Sequence, residues 1–226
     1  MRAIVLPGLD GSSSLSSELC AHLDGDLDVE ALDFPSDEPL DYGRLEARVR
    51  AALSGDGGGF VVVAQSFSGP VAIRLAADPP PRLRAVVLAA TFAEAPAPRS
   101  LRLLFARPSW LPRALPAFAI RRYLTGEDAS DALVDAVRDA VRALPPEVLA
   151  HRVQQVLEVD VRAELRRARV PVLVLEGTGD RLVSRRRSVG WARPDLPLAR
   201  LDAPHLVLQR AAPEAAREIR RFTAGL

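Results

Sequence analysis

Hydrophobic positions follow two alternating rhythms along the first ninety or so residues. Short apolar runs at 2–6, 29–34 and 60–64 read as buried strands, the third being Phe60-Val61-Val62-Val63-Ala64. Between them the apolar residues recur at helical spacing. Leu15, Leu19 and Leu23 mark a helix over 13–23, Leu45, Val49 and Leu53 one over 41–53, and Val71, Leu75 and Ala76 a third after the central strand. Pro35 and Pro39 close the second strand, and Asp56-Gly57-Gly58-Gly59 leads into the third. Asp78 and the prolines behind it end the third helix before another buried strand over 83–90. The resulting βαβαβαβ order predicts an α/β fold: a mostly parallel central sheet with helices on both faces.

From residue 94 to 168 the rhythm changes. Prolines 96, 98, 108, 112 and 116 punctuate short helical pieces carrying Leu103, Leu104, Phe105, Trp110, Leu111, Phe118 and Ile120, and a longer amphipathic helix follows with Leu133, Val137, Val141 and Leu144 on one side. No strand pattern occurs there. The segment is therefore expected to be an inserted helical cap over the carboxyl edge of the sheet, between core portions 1–93 and 169–226. Trp110 and Phe118 are expected to line a substrate pocket, although the same aromatics suit plain packing of cap on core. The core pattern then resumes with strands at 170–175 and 198–201, a helix over 186–192 and a closing helix over 213–222.

Composition narrows the possible functions. At 226 residues, 48% hydrophobic and 26% charged, the chain suits one globular domain. A net charge of +1 gives no electrostatic reason to bind nucleic acid or anionic lipid. Every basic side chain is arginine, so no lysine can complete a phosphate-binding Walker loop; the glycine-containing turn Pro7-Gly8-Leu9-Asp10-Gly11 also lacks a Gly-x-Gly-x-x-Gly pattern. Cys20 is the single cysteine, which excludes an internal disulfide and a cysteine metal cluster. With no signal-peptide pattern and no uncharged run of membrane-spanning length, a cytoplasmic location is expected, without integral membrane association.

Chemistry concentrates where strands end. Ala64-Gln65-Ser66-Phe67-Ser68-Gly69 runs from strand through a sharp turn into a helix, with small residues two places either side of Ser66. A nucleophile elbow needs such small neighbours because strand and helix backbones nearly touch there. Ser68 at the centre would put Pro70 where a small residue belongs, so Ser66 is the better nucleophile; helix capping by these serines is the alternative. Of the three histidines, His22 and His151 do not follow core strands, whereas His205 lies in the loop after the last one. Asp180 follows the 170–175 strand. Asp202 is closer to His205 in sequence, but would have to fold back on its own loop to reach the imidazole. Ser66, Asp180 and His205 thus occur in the order of a serine triad on a parallel sheet. The early loop could turn backbone N–H groups toward the nucleophile, or be a plain strand-to-helix turn.

Taken together, the elbow 64–69, the acid loop Gly177-Thr178-Gly179-Asp180-Arg181-Leu182-Val183, the base loop Asp202-Ala203-Pro204-His205-Leu206 and the early loop 7–11 resemble those of the α/β-hydrolase superfamily. The likeness spans nearly the whole chain outside the cap. The chain departs from it in the elbow's missing glycines, in Pro7-Gly8 where family members more often have His-Gly, and in beginning at what would be the family's third strand. By that resemblance Ser66 is the nucleophile, His205 the base, Asp180 its orienting acid, and the N–H groups of Leu9 and Phe67 the oxyanion hole. The implied activity is hydrolysis of a carboxylic ester or thioester carried by a small-molecule acyl substrate, with no metal and no organic cofactor. Acyl transfer or lyase chemistry on the same triad, and a non-catalytic binding protein of this fold, are the alternatives.

Overall fold

The computed structural model describes residues 1–53, 58–96 and 115–226. Six strands form one sheet: β1 (Arg2–Leu6), β2 (Asp28–Ala31), β3 (Phe60–Gln65), β4 (Leu83–Ala89), β5 (Val172–Gly177) and β6 (Leu198–Leu201). Their order is β2-β1-β3-β4-β5-β6, and every adjacent pair is parallel. Parallel neighbours cannot be joined by hairpins, so the chain crosses a face of the sheet between strands, which is why apolar runs alternate with helical stripes.

Strand alternation sorts the core into two layers. Ile4, Leu6, Val62, Ala64, Val86, Leu88, Val172 and Val174 face one side, where they meet α2 (Tyr42–Ala52) and α3 (Gly69–Ala77). Ala3, Val5, Val61, Val63, Ala85, Val87, Leu173 and Leu175 face the other, against α1 (Ser17–Leu23). β3 is buried along its whole length because it has a neighbour on each edge and helices over both faces. Burying a valine or leucine side chain contributes about 1.5–3 kcal/mol, so this central strand is the most strongly anchored support for whatever follows it.

Between β4 and β5 the described residues include four α-helices: α4 (Ala117–Ile120), α5 (Asp131–Arg142), α6 (Pro146–Glu158) and α7 (Arg162–Arg166). Ser130 caps α5 by accepting from the Leu133 N–H, and Pro146 sits at the start of α6, where a missing N–H costs nothing. Val161 and Leu165 reach into the same core layer as α3. After β5 come α8 (Val189–Ala192), β6, α9 (Val207–Arg210) and α10 (Ala212–Thr223); α9 and α10 cover the α1 face through Val207, Leu208, Ala215, Ala216 and Ile219. Among the described residues, no helix is long and apolar enough to cross a membrane.

Candidate active site

Ser66 directly follows β3 and is one of three described non-glycine residues with positive φ, at 51°. Two contacts hold this unfavourable backbone. Thr91, two residues past the end of the neighbouring β4, donates its hydroxyl to the Ser66 carbonyl at 2.5 Å. The Ser68 hydroxyl accepts from the Gln65 N–H at 3.1 Å and donates to the Gln65 carbonyl at 3.0 Å, which closes the turn on itself. These bonds explain the departure from Gly-x-Ser-x-Gly. Ser68 uses its side chain inside the elbow, and the position that must be glycine is one further on: a Cβ on Gly69 would lie 2.0 Å from the Thr91 hydroxyl.

His205 is 1% exposed, in the loop between β6 and α9. Its Nε2 lies 2.9 Å from Ser66 Oγ and its Nδ1 2.9 Å from Asp180 Oδ2. The other Asp180 oxygen accepts from the N–H groups of Leu182 and Val183, both at 2.9 Å, so the carboxylate is fixed on both sides. Asp202 is placed otherwise, its Oδ1 accepting from the Thr178 hydroxyl at 3.2 Å. His22 is exposed, and His151 lies on α6. Among the described residues, no group of three or more His, Cys, Asp or Glu is placed to hold a metal ion.

Ser66 and His205 open into a cavity of about 370 Å³, also lined by Leu9 and Phe67 from the two loops read as the oxyanion hole. Its walls are mostly aliphatic. Val137 and Val141 come from α5, Val153, Val156 and Leu157 from α6, and Leu115, Leu124 and Leu206 from adjoining segments. Of the two aromatics expected to line it, Phe118 does not: it is 73% exposed on α4, where burying Ile120 turns Phe118 outward. Trp110 lies outside the described residues, as do Leu103, Leu104, Phe105 and Leu111.

Three side chains around the site gave little or no signal in the sequence. Thr91 reads as the polar end of a strand. Gln209 exchanges two hydrogen bonds with Gln65, at 2.9 and 3.0 Å, and donates to the Leu15 carbonyl at 3.0 Å, tying the elbow to the helix after His205. Its spacing of one helical turn from His205 is the only hint. Arg152, noticeable in the sequence only as the neighbour of His151, is 2% exposed. Burial lowers its pKa, and the carboxylate of Asp10 partly offsets this. Asp10, in the early loop, accepts from the Ser12 N–H at 2.9 Å; burial pushes its carboxyl pKa up, against the lowering by the Ser12 N–H, its own N–H and Arg152.

A parallel sheet with helices on both faces, a strained serine on the turn after its central strand, and a histidine and an aspartate on the loops after the last two strands define an α/β-hydrolase. The chain belongs to the alpha/beta hydrolase family, whose model matches residues 3–218. Among solved structures it is similar to the enol-lactonase from Burkholderia xenovorans LB400, with 20% identity over 99% of this chain and 91% of that one and a TM-score of 0.85. It is likewise similar to a bromoperoxidase from Bacillus anthracis (15% identity, 99% and 91% covered, TM-score 0.83). A thermophilic esterase from Thermogutta terrifontis shares 18% identity over 100% of this chain and 90% of that one, with a TM-score of 0.82. No curated protein matches the sequence. At these identities the structural likenesses establish the fold.

Proposed function

We propose that this protein is a serine hydrolase of carboxylic esters or thioesters. The observation that carries the reading is the continuous Ser66–His205–Asp180 relay, at 2.9 Å in both links, opening on an aliphatic cavity. His205 Nε2 takes the Ser66 proton as Oγ attacks the acyl carbon, and the N–H groups of Leu9 and Phe67 hold the developing oxyanion. The proton then passes to the leaving alcohol or thiol, so that the acyl group stays on Ser66. Water repeats the sequence, giving its proton to His205, and the acid leaves with Ser66 restored. Asp180 accepts the Nδ1–H bond throughout, fixing the tautomer and stabilising the imidazolium.

The aliphatic lining suits an uncharged acyl group, since a buried charge without a partner is costly to desolvate. That two similar structures are named as an esterase and an enol-lactonase agrees with chemistry at an acyl carbon. An intact relay favours an enzyme over a non-catalytic binding protein of this fold.

The test is hydrolysis of a panel of esters and thioesters graded in acyl length, by wild type and Ser66→Ala. The wild type should turn over neutral short or medium acyl groups, and the variant should lose at least about 10³-fold in kcat while unfolding at a similar temperature. Equal activity in the two proteins would remove the proposal. Product partitioning toward an added alcohol in place of water would assign acyl transfer on the same triad.

A further inference from the structure

We infer that Arg152 is a positioning residue for the oxyanion hole, carried by α6 and acting on both loops that supply its N–H groups; this rests on the hydrolase reading above. Its guanidinium donates from Nη1 to the carbonyl of Leu9 at 2.8 Å and from Nη2 to the carbonyl of Pro35 at 2.7 Å. The first bond fixes the peptide just after the proposed donor Leu9. The second anchors the arginine to the loop after β2. Its Cζ also lies 5.8 Å from the ring centroid of Phe67, the residue proposed as the other donor. Phe34 and Tyr42 hold that ring from other directions, with centroids at 6.2 and 5.1 Å.

The early loop is shaped to admit the guanidinium. Gly11 has φ +74°, and a Cβ there would lie 2.3 Å from Arg152 Nη1. The Gly11 carbonyl accepts from the Phe34 N–H at 2.8 Å, so the loops after β1 and β2 are joined beside the arginine. One turn later on α6, the Gln155 side chain accepts from the Tyr42 N–H at 3.4 Å. Arg152 does not line the cavity and therefore works through Leu9 and Phe67. Two carbonyls at fixed spacing need a planar fork; the single ammonium of a lysine cannot reproduce it.

The experiment compares wild type, Arg152→Lys, Arg152→Met and Arg152→Ala, with kcat and KM measured per folded molecule, folding followed by circular dichroism, and inhibition measured with a trifluoromethyl ketone whose adduct places an oxyanion in the hole. Arg152→Met should lose kcat by roughly 10²-fold, the scale of a misplaced reacting geometry, with KM within about twofold of wild type. Arg152→Lys should fall in between, and inhibitor affinity should weaken in parallel with kcat. Free guanidinium should partly restore kcat in Arg152→Ala, a rescue that lost packing alone would not give. Folded variants with wild-type kcat and inhibitor affinity would overturn the inference while leaving the hydrolase reading intact. Failure of Arg152→Lys and Arg152→Met alike to fold would make the residue structural and overturn it too. A wild type with no activity on the ester panel would overturn both readings.

Discussion

Ser66 holds a backbone conformation that costs a β-carbon-bearing residue on the order of 1–3 kcal/mol, and the Thr91 and Ser68 hydroxyls keep it there. Residue type alone could nominate Ser66, Asp180 and His205, because few residues can attack, accept a proton or orient an imidazole, and strand ends narrowed the choice. The supports around them were hidden: nothing in the letters 64–69 states that Thr91 will press on Gly69, or that Arg152 will cross to Leu9. The contest between the two aspartates belongs to this scale. With Asp180 bonded to His205 and Asp202 to Thr178, Asp180→Asn should cut kcat by about 10⁴-fold through loss of the tautomer, and Asp202→Asn should keep most activity. Initial rates of both variants on one activated ester decide it, and the opposite ranking would reverse the assignment. Asp10 gives a stability prediction. Its folded pKa lies above the ordinary 3.8, so the native state binds this proton more tightly than the unfolded chain does. That contribution is fully present below the unfolded pKa and is lost as pH rises through the folded value. Asp10→Asn keeps an acceptor for the Ser12 N–H and cannot ionise. Its melting temperature should exceed that of wild type at neutral pH, and the difference should close by about pH 3. A gap that widens on acidification would contradict the burial argument.

At the scale of elements, the period-3.6 stripe over α5 was readable, and two of its members, Val137 and Val141, line the cavity. α6 was not read as an element, since the stripe was followed only to Leu144, whereas Pro146 opens a further helix of 13 residues. β5 runs later than its apolar letters suggest, to Gly177, because it stays paired with β6 through Glu176 and Gly177, opposite Arg200 and Leu201; a Cβ at 177 would meet the carbonyls of Ala203 and Pro204. Phe118 misled for a related reason: an aromatic between prolines reveals its size and not the face of the short helix it occupies. The cap prediction therefore moves to α5. Val141→Phe should shift preference toward shorter acyl groups and Val141→Ala toward longer ones, each methylene being worth about 1–3 kcal/mol in kcat/KM. The acyl-length profile of kcat/KM measures this, and an unchanged profile in both variants would take α5 out of the acyl pocket.

For the molecule as a whole, strand order explains where the site falls. β1 and β3 are neighbours whose connections depart in opposite directions, β1 toward β2 and β3 toward β4, so the loops at their carboxyl ends part and leave a crevice between them. The early loop and the elbow are those two loops. The alternation of apolar runs with helical stripes made the parallel sheet legible, while the placing of β1 between β2 and β3 is a long-range fact that no local pattern encodes. The β4–β5 junction has a further consequence. These strands are neighbours in the sheet, yet the chain leaves at Ala89 and returns at Val172. The entropy of closing so long an excursion grows only logarithmically, about 0.6 kcal/mol for each doubling of length. Insertions and deletions in this stretch are therefore nearly free for the sheet, whereas α6 cannot drift without pulling Arg152 from the early loop. An evolving lineage could lengthen, shorten or exchange the chain ahead of α6 to explore new substrates, with selection holding one helix still while its neighbours change.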